Sequence, residues 1–478
     1  MAPCAEPARA LFERGNGRLA AGDLPGAAEC FRGAVQADPL MAEAHANLAY
    51  CLDRCADSAQ AEASYRAALA LQPARAQILG NFGGFLARHE RLEEAESACR
   101  RALAADPDCA PACSNLGVLL ACGHREAEAE SWLRRALAID PADRVARFNL
   151  GYVLLRQGRF EEGWECLDAR KDHQPALGAP PPCPRWRGEP LAGKRLLIEF
   201  EAGHGDMIQF GRYARLLKEQ GAARIGLVCQ PALVELFAQL EGVDERIALE
   251  GPLAPPFWER WDFWSPLLSL PRRCGTRLDN IPARIPYLRA DPQRMRAWAP
   301  RLPADGVRVG LVWKGNPNFE NDADRSLASL ADLAPLWQVP GARFVSLQKW
   351  AGEREARLAP ADRPLVDLGP AIGDFADTAA IVALLDLVVC VDTAVGHLAG
   401  ALGKKCWILL PDFKADWRWL RDRGDSPWYP GSVRLFRQER RGDWGPLIER
   451  VAAALRDYIR ADCVDGGPSS LTRSSTRS

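Results

Sequence analysis

Small residues recur along the first part of the chain with a period of 34 residues. Four such series run in parallel: Ala27, Ala61, Ala95 and Ala129; Ala34, Ala68, Ala102 and Ala136; Gly15, Ala49, Gly83, Gly117 and Gly151; and Pro39, Pro73, Pro107 and Pro141. Larger apolar residues keep the same spacing at Phe31, Tyr65, Cys99 and Leu133. Small side chains let two helices cross closely, and a proline ends a helix. The pattern therefore predicts repeated pairs of helices, each closed by its proline.

A single helix pair cannot bury its apolar face, so the pairs are predicted to stack into an array. The repeat length and the small-residue positions resemble those of tetratricopeptide (TPR) repeats. They predict an all-α solenoid over residues 1–173, with repeats at about 8–41, 42–75, 76–109, 110–143 and 144–173. Such arrays present a concave surface that binds a peptide or another protein. A spacer or an oligomerisation surface is the alternative.

A proline-rich segment, residues 174–189, interrupts this periodicity and is predicted to be a linker. Beyond it, short apolar runs alternate with longer amphipathic stretches, which indicates βαβ units and a parallel sheet. The apolar runs cover residues 196–200, 225–229, 307–313, 343–348, 387–392, 406–411 and 433–438. Helices are expected over 207–220 and near 231–240.

These runs fall into two groups that separate around residues 290–305, where prolines and charges concentrate. We therefore expect two Rossmann-like lobes, at 190–298 and 306–462, the second ending in a helix near 444–461. Residues 463–478 are rich in serine and glycine and are expected to be disordered. The predicted fold class is multidomain: an all-α TPR solenoid followed by an α/β module of two Rossmann-like lobes.

Composition narrows the function classes further. The formal net charge of −1 argues against general electrostatic binding of nucleic acid. The 15 cysteines form no CxxC pair, so they indicate reduced thiols of a cytoplasmic protein rather than a metal site. No apolar run is long enough for a membrane-spanning helix, and the N-terminus lacks the pattern of a signal peptide.

The strongest chemical motif is DTAVGHLAGALG, residues 392–403, which follows an apolar strand and opens a helix. In a parallel sheet, ligands bind beyond the carboxyl ends of the strands, and a helix N-terminus there suits a phosphate. Thr393 and His397 can each donate a hydrogen bond to such an anion. The alternative is an N-cap at Asp392 and a packed helix with a core histidine.

This motif resembles the D-[ST]-[GA]-x-x-H-L-A-x-A-L-G segment of glycosyltransferase family nine, the bacterial heptosyltransferase-like enzymes, some of which are fused to TPR repeats. Further stretches agree in order, at residues 184–217, 265–271, 281–288, 310–327 and 416–438. The resemblance implies a GT-B fold. It also implies inverting, metal-independent transfer of a sugar from a nucleotide-diphosphate sugar, with no cofactor beyond this co-substrate.

The resemblance places the donor in the second lobe and the acceptor in the first. The donor diphosphate would be held by Asp392, Thr393, Ala394 and His397. Lys314 would neutralise phosphate charge as the leaving group departs, which suits a lysine at the carboxyl end of a strand; an ordinary surface lysine is the alternative. Asn316 and Arg325 lie in the same loop and are further candidates. Gln348 ends the next strand and is a candidate for contact with the nucleotide.

In the first lobe, the loop EAGHGD, residues 201–206, follows the first strand. The resemblance makes Asp206 the general base on the acceptor hydroxyl, although an aspartate here also suits a helix N-cap. Relatives commonly read E-Q-G-x-G-D-T, whereas this chain carries Ala202 and Met207. His204 stands where an apolar residue is frequent, and it is a second candidate for the base.

Two functions are compatible with these residues. The first is a glycosyltransferase whose array recruits a protein or glycan acceptor, and retention of the motif residues favours it. The second is an interaction scaffold with a degenerate, non-catalytic transferase-like domain, which the altered EAGHGD loop favours. The expected partners are a nucleotide-sugar donor and an acceptor, with no metal and no nucleic acid. A cluster of Trp258, Trp261 and Trp264 is predicted to pack a loop rather than to stack on a sugar.

Overall fold

The computed structural model describes residues 7–170, 182–251, 255–319, 321–359 and 365–464. These residues form two compact units. The first unit comprises the described residues up to 154 together with 166–170. The second unit comprises residues 155–165 together with the described residues from 182 onward. Part of the predicted linker, 174–181, and most of the predicted disordered tail, 465–478, lie outside the described residues. Thirteen cysteines of the described ranges are free. None of the helices in those ranges is both long and apolar enough to cross a membrane.

Helices occur in pairs at the predicted period. They are α1 (Ala8–Ala20), α2 (Leu24–Ala37), α3 (Ala42–Arg54), α4 (Ser58–Leu71), α5 (Ala76–Arg88), α6 (Leu92–Ala105), α7 (Ala110–Cys122), α8 (Glu126–Ile139), α9 (Arg144–Arg156) and α10 (Phe160–Leu167). The first helix of each pair begins at a predicted repeat start, and the second begins 16 residues later. The solenoid predicted for this part of the chain is confirmed.

Close crossing of the two helices in a pair explains the small-residue series. A Cβ atom added to Gly117 would lie 2.6 Å from Leu133 Cγ and 3.2 Å from the carbonyl oxygen of Ala129. The same contact recurs between Gly15 and Phe31 and between Gly83 and Cys99. Each glycine thus faces the larger, fully buried residue 16 positions later, so the small and large series are two sides of one contact.

Replacing Gly117 by valine is expected to destabilise the array by about 1–3 kcal/mol, because the added atoms overpack the α7–α8 crossing. The matched control is Gly17→Ala, since Gly17 is exposed and a Cβ there meets nothing within 4 Å. That control should stabilise α1 by up to about 1 kcal/mol. Hydrogen exchange of α7 and α8 measures the effect, and unchanged protection in Gly117→Val would contradict the close-crossing account.

Helix α10 contributes most of its length to the second unit. Phe160 stacks on Trp428 with ring centroids 6.0 Å apart, and Trp164 packs edge-on against Trp417 at 5.1 Å. The indole N–H of Trp164 also donates to the carbonyl oxygen of Thr276 at 2.8 Å. The domain boundary expected at 173 therefore falls inside the last repeat, because the aromatic face of α10 is buried within the second unit.

Two parallel sheets in the described part of the second unit confirm the predicted Rossmann-like lobes. The first lobe holds β1 (Arg195–Glu199), β2 (Arg224–Cys229), β3 (Glu245–Ala248) and β4 (Phe263–Pro266), with α11 (His204–Gly211), α12 (Tyr213–Glu219), α13 (Pro255–Trp258) and α14 (Leu270–Arg273). Its strand order is β3-β2-β1-β4. The helix expected near 231–240 is instead two short 3-10 turns, Pro231–Leu233 and Leu236–Gln239.

The second part of the predicted linker belongs to this first lobe. The backbone N–H of Trp186 donates to the carbonyl oxygen of Trp264 at 2.7 Å, and the N–H of Trp264 donates to Pro184 at 3.0 Å. Residues 184–186 therefore run beside β4 as an extended segment. The tryptophan cluster is buried in the same lobe, with Trp258 at 6% and Trp261 at 3% exposure, which confirms its packing role.

The second lobe holds a larger sheet. Its elements are β5 (Val307–Val312), β6 (Ala342–Ser346), β7 (Leu365–Asp367), β8 (Leu387–Val391), β9 (Cys406–Leu410) and β10 (Val433–Arg437), with α15 (Pro292–Trp298), α16 (Asp322–Arg325), α17 (Ala334–Trp337), α18 (Glu353–Arg357), α19 (Phe375–Leu384), α20 (Ala394–Ala401) and α21 (Gly445–Val464). The strand order is β10-β9-β8-β5-β6-β7, all parallel.

The order of this sheet reverses at β5. After β5 the chain adds β6 and β7 on one side and then β8, β9 and β10 on the other, so the gap between β5 and β8 is the switch point of the sheet. Ligands of open parallel sheets bind at such a point.

Helix α15 packs on the second lobe, although the first lobe was expected to extend to residue 298. Arg294 Nη1 donates to Asp374 at 2.6 Å and to Asp377 at 2.9 Å, both at the start of α19. Trp298 Nε1 donates to Asp377 at 3.1 Å. These bonds attach α15 to α19, so the boundary between the lobes lies before α15.

Candidate functional site

The DTAVGHLAGALG motif joins β8 to α20, as predicted, and the sheet order places it at the switch point. Thr393 is the last residue before the helix, and its side chain makes no capping hydrogen bond. A Cβ atom on Gly396 would lie 3.1 Å from both Cys390 Sγ and Ile408 Cδ1, so the small residue brings the helix start against the sheet. A helix start without a side-chain cap, at the carboxyl edge of a parallel sheet, is suited to bind an anion.

His397 lies one turn into α20 and is 6% exposed. Its Nδ1 is 2.9 Å from the hydroxyl of Tyr429, and its ring stacks on Trp419 with centroids 5.1 Å apart. Burial, followed by the positive charges of Arg418 and Arg212, holds the pKa of His397 well below its usual value. The imidazole is therefore neutral at physiological pH, so it can offer a hydrogen bond to a ligand but no positive charge.

The carboxylate of Asp392 accepts a hydrogen bond from Trp419 Nε1 at 2.8 Å. Burial and the neighbouring charge of Asp416 raise the pKa of Asp392 to about 6. The residue that begins the motif is thus a partly desolvated acid fixed by an indole, and the helix cap suggested as its alternative role is not formed by Asp392, because Thr393 occupies the capping position.

Lys314 follows β5, across the switch point from Asp392. Its ammonium group is paired with the carboxylate of Glu355 in α18. The side-chain oxygen of Gln348 accepts the backbone N–H groups of Trp313 at 3.1 Å and Lys314 at 3.0 Å, and its nitrogen donates to the Lys314 carbonyl at 3.0 Å. Gln348, predicted as a nucleotide contact, thus holds the Lys314 backbone with both ends of its amide.

Arg325 reaches from the same loop to the helix motif. Its Nη1 donates to the carbonyl oxygen of Asp392 at 3.2 Å, and its Nε donates to Asp322 at 3.0 Å. Asn316 is exposed, and its side-chain oxygen accepts the backbone N–H of Asn318 at 3.0 Å. Arg325 therefore lies at the start of α20, whereas Asn316 shapes its own turn.

In the first lobe, EAGHGD ends β1 and begins α11. Ala202 has a φ of +67°, a conformation that costs a non-glycine residue roughly 1–2 kcal/mol. Gly203, not Asp206, is the N-cap of α11; Asp206 lies at the third position of the helix, and one of its oxygens accepts the N-cap N–H at 2.8 Å, so it stabilises the helix start. The other oxygen is paired with the guanidinium of Arg418. Burial raises the pKa of Asp206, and the charge of Arg418 and the Gly203 N–H oppose that rise.

His204, the second candidate for the base, packs elsewhere. Its ring lies nearly parallel to that of Phe375 in α19, with centroids 5.1 Å apart. Burial lowers the pKa of His204, so its imidazole is neutral at physiological pH. The structure thus gives His204 a packing contact with the second lobe, while Asp206 faces the charged cluster around Arg418.

The two motif loops, predicted separately for the two lobes, meet directly. A Cβ atom on Gly205 would lie 2.8 Å from His397 Cδ2 and 3.5 Å from Ala394 Cα. A glycine at this position therefore allows α11 and α20 to come together. Asp206 is consequently placed beside the first turn of the helix that carries the candidate anion site.

Several residues of this site were not singled out by the sequence. Arg418, Trp419 and Tyr429 lie in the 416–438 stretch, where only the family resemblance and an unusual density of aromatic residues gave a signal. Glu355, the partner of Lys314, lies in a short polar helix without any motif. These partners come from distant parts of the chain, so no local pattern reveals them.

Replacing Asp392 by asparagine is expected to stabilise the second unit at neutral pH. The unfolded chain ionises this carboxyl near 3.8 and the folded chain near 6. The folded state therefore binds more protons between these values, and the free energy of unfolding falls as pH rises through that window. Asp392→Asn should exceed the wild type by roughly 2 kcal/mol at about pH 8, and the gain should vanish at about pH 4. Urea unfolding at both pH values measures this, and a gain independent of pH would contradict it.

Comparison with known proteins supports the TPR repeats of the first unit most clearly. A sequence model described as tetratricopeptide repeat matches residues 12–54 and 56–110. TPR repeats indicate a protein-interaction role for this unit. Protein FlbA of Caulobacter vibrioides is 33% identical over 330 residues, which cover 64% of this chain and 54% of FlbA. The chain therefore spans about half the length of that relative.

Solved structures with similarity include PilF of Pseudomonas aeruginosa. It is 26% identical, with a TM-score of 0.31, over 34% of this chain and 74% of that chain. A thermophilic TPR protein of Thermus thermophilus is 23% identical, with a TM-score of 0.31, over 35% and 93% of the respective chains.

Proposed function

We propose that the second unit is an inverting, metal-independent glycosyltransferase that uses a nucleotide-diphosphate sugar. We propose also that the TPR array recruits its protein or glycan acceptor. The observation that supports this most is that Arg325 contacts the start of α20, where Asp206 is brought in from the first lobe, while Lys314 follows the neighbouring strand β5. Two cations and a helix start favour a diphosphate, and the carboxylate of Asp206 supplies a base.

The proposed step is a direct displacement at the anomeric carbon. The acceptor oxygen attacks that carbon as its proton passes to Asp206, and the bond to the diphosphate breaks on the opposite side. Lys314 and Arg325 neutralise the charge that develops on the leaving diphosphate. The neutral imidazole of His397 uses Nδ1 with Tyr429, which leaves Nε2 for the ligand. Burial raises the pKa of Asp206, which favours proton acceptance nearer to neutral pH.

The melting temperature with a panel of uridine, guanosine, adenosine and thymidine diphosphate sugars tests donor binding. A ligand that binds only the folded state must stabilise it, so at least one donor should raise the melting temperature. Lys314→Ala should reduce that shift. Lys405→Ala, which removes an exposed lysine bonded to the Gly431 carbonyl in the same lobe, should leave it unchanged. A panel without any shift would contradict the proposed donor site.

An interaction scaffold with a non-catalytic transferase-like domain is the second candidate. It is favoured by the internal pairing of the charged groups, since Lys314 binds Glu355 and Asp206 binds Arg418. An enzyme must release these pairs during its cycle, whereas a scaffold has no such need. Donor binding is compatible with both functions, so turnover of the donor separates them.

A further inference from the structure

Arg418 lies at the centre of the cluster between the two motif loops. Its side chain is 9% exposed, while that of its partner Asp206 is 20% exposed. Nη1 donates to Asp416 at 2.8 Å, and Nη2 is paired with Asp206. The guanidinium therefore joins a fixed partner in its own loop to a more accessible partner from the opposite lobe.

Aromatic rings fix the position of this guanidinium. Its central carbon lies 4.8 Å from the ring centroid of Trp417 and 5.4 Å from that of Phe210. The backbone N–H of Arg418 donates to the Asp416 side chain at 2.9 Å, which holds the start of the turn. Because the side chain is supported on its faces and through Nη1, the Nη2 edge is the part that can exchange partners with little movement.

The Arg418–Asp206 pair lies beside the proposed anion site. Trp419, the next residue, donates to Asp392 at 2.8 Å and stacks on His397. Gly205, the neighbour of Asp206, packs against the same histidine. The positive charge of Arg418 also contributes to lowering the pKa of His397, after burial. Contacts on both sides thus place the Arg418–Asp206 pair against the first turn of α20.

We infer that Arg418 is shared between Asp206 and the donor diphosphate, so that donor binding releases the carboxylate. This inference rests on the function proposed above. A diphosphate carries more charge than a carboxylate and accepts guanidinium N–H groups in the same geometry, so it competes well for the Nη2 edge. Before the donor binds, Asp206 is neutralised by Arg418 and is a poor base. After the donor binds, Asp206 is free to accept the proton of the acceptor hydroxyl.

Sharing of Arg418 and a purely structural ion pair predict opposite changes in diphosphate affinity when Asp206 is replaced. If Asp206 and the diphosphate compete for Arg418, then removing the charge of Asp206 strengthens diphosphate binding. Removing Arg418 weakens that binding, and the gain from Asp206→Asn then disappears, because the guanidinium for which the two groups compete is gone. A structural ion pair predicts the opposite for Asp206→Asn, namely a looser site and weaker binding.

The test is calorimetric titration of the full-length chain with uridine, guanosine, adenosine and thymidine diphosphates. For the diphosphate that the wild type binds most tightly, Asp206→Asn should lower the Kd about three- to tenfold. Arg418→Gln should raise the Kd at least about tenfold, and the double variant should match Arg418→Gln. Two controls should leave the Kd unchanged. Arg343→Gln removes an exposed ion pair with Asp305. Asp291→Asn alters the N-cap of α15.

An unchanged or weaker affinity in Asp206→Asn would overturn the sharing of Arg418 while leaving the proposed donor site in place. A gain that persists in the double variant would overturn it as well. Failure of the wild type to bind any of the four diphosphates would overturn both the donor site and the sharing. Asp206→Asn keeps the oxygen that stabilises the start of α11, so this variant decides the question even if Arg418→Gln does not fold.

Discussion

Replacement of Asp206 by asparagine is expected to reduce kcat for sugar transfer roughly 10²–10⁴-fold, the usual contribution of a general base. Asparagine cannot accept the proton of the acceptor hydroxyl. It does keep an oxygen for the Gly203 N–H that Asp206 binds at 2.8 Å, so the start of α11 is preserved. The loss should therefore appear in kcat, whereas binding of the nucleoside diphosphate should be strengthened, as inferred above from the competition for Arg418. Steady-state kinetics together with a titration of the nucleoside diphosphate measure the two quantities separately.

Asp291→Asn is the matched control for this replacement. Asp291 likewise stabilises a helix start, accepting the N–H groups of Gln293 at 2.6 Å and Arg294 at 3.3 Å. It should leave kcat unchanged, because the candidate chemistry does not involve Asp291. If Asp206→Asn retained transfer within a few-fold of the wild type, Asp206 would only stabilise the start of α11, and the base would have to be sought elsewhere.

Replacement of Arg212 by methionine is expected to lower the free energy of unfolding of the second unit by about 3–5 kcal/mol, because several buried acceptors lose their donor at a cost of about 1–3 kcal/mol each. Arg212 is 4% exposed and lies between α11 and α12. It donates at 2.7 Å to the carbonyl oxygens of both Gln209 and Trp428, and at 3.1 Å to the Tyr287 hydroxyl. Methionine fills similar volume but leaves these acceptors without their donor, and each such loss is costly when buried.

Arg215→Met provides the comparison on the following turn. Arg215 forms exposed ion pairs with Glu219 at 2.8 Å and Glu241 at 3.3 Å. Exposed pairs of this kind contribute little, so the change should stay within about 1 kcal/mol. Urea unfolding monitored by tryptophan fluorescence measures both variants. Equal, small effects at the two positions would contradict the stabilising role assigned to the buried hydrogen bonds of Arg212.

The sequence predicts the repeat architecture in detail because each contact recurs. Gly117 faces Leu133 as Gly83 faces Cys99, so the same contact between a small and a large residue recurs in successive repeats and produces the period. The boundary of the array was predicted less well. Helix α10 of the last repeat begins where the period predicts, but the ring of Phe160 at its start is buried against Trp428 in the second unit, and periodicity carries no information about such a partner.

In the α/β part, long buried strands were predictable and short edge strands were not. β8 is a continuous apolar run that is buried throughout, and β1 has the buried apolar centre Leu196, Leu197 and Ile198. β7 spans three residues and is only half-buried, so its sequence resembles that of a loop. The helix expected over 207–220 is split at Arg212, whose side chain bonds back to the Gln209 carbonyl. The break follows Gly211, a residue that weakens a helix interior, and this local signal was overlooked.

In the candidate site, residues at strand ends and helix starts were predictable from the sequence, whereas their ion-pair partners were not. The sequence correctly placed Lys314 at the end of β5, Asp392 after β8 and Asp206 within the first turn of α11, because strand ends and helix starts have local patterns. It did not predict the partners that control their charge. Arg418 pairs with Asp206 across 212 positions of sequence, and Glu355 pairs with Lys314 across 41. Only the fold brings these groups together.

Turnover of labelled nucleotide-diphosphate sugars by the full-length chain is the most direct test of the claim that the second unit is an enzyme. The assay follows release of the nucleoside diphosphate, by transfer or by hydrolysis, across uridine, guanosine, adenosine and thymidine donors. We predict release from at least one donor, lost in Asp206→Asn and in His397→Ala and retained in Lys405→Ala. A chain that binds a nucleoside diphosphate but releases none from any of these donors would contradict the account and would identify the second unit as a binding module.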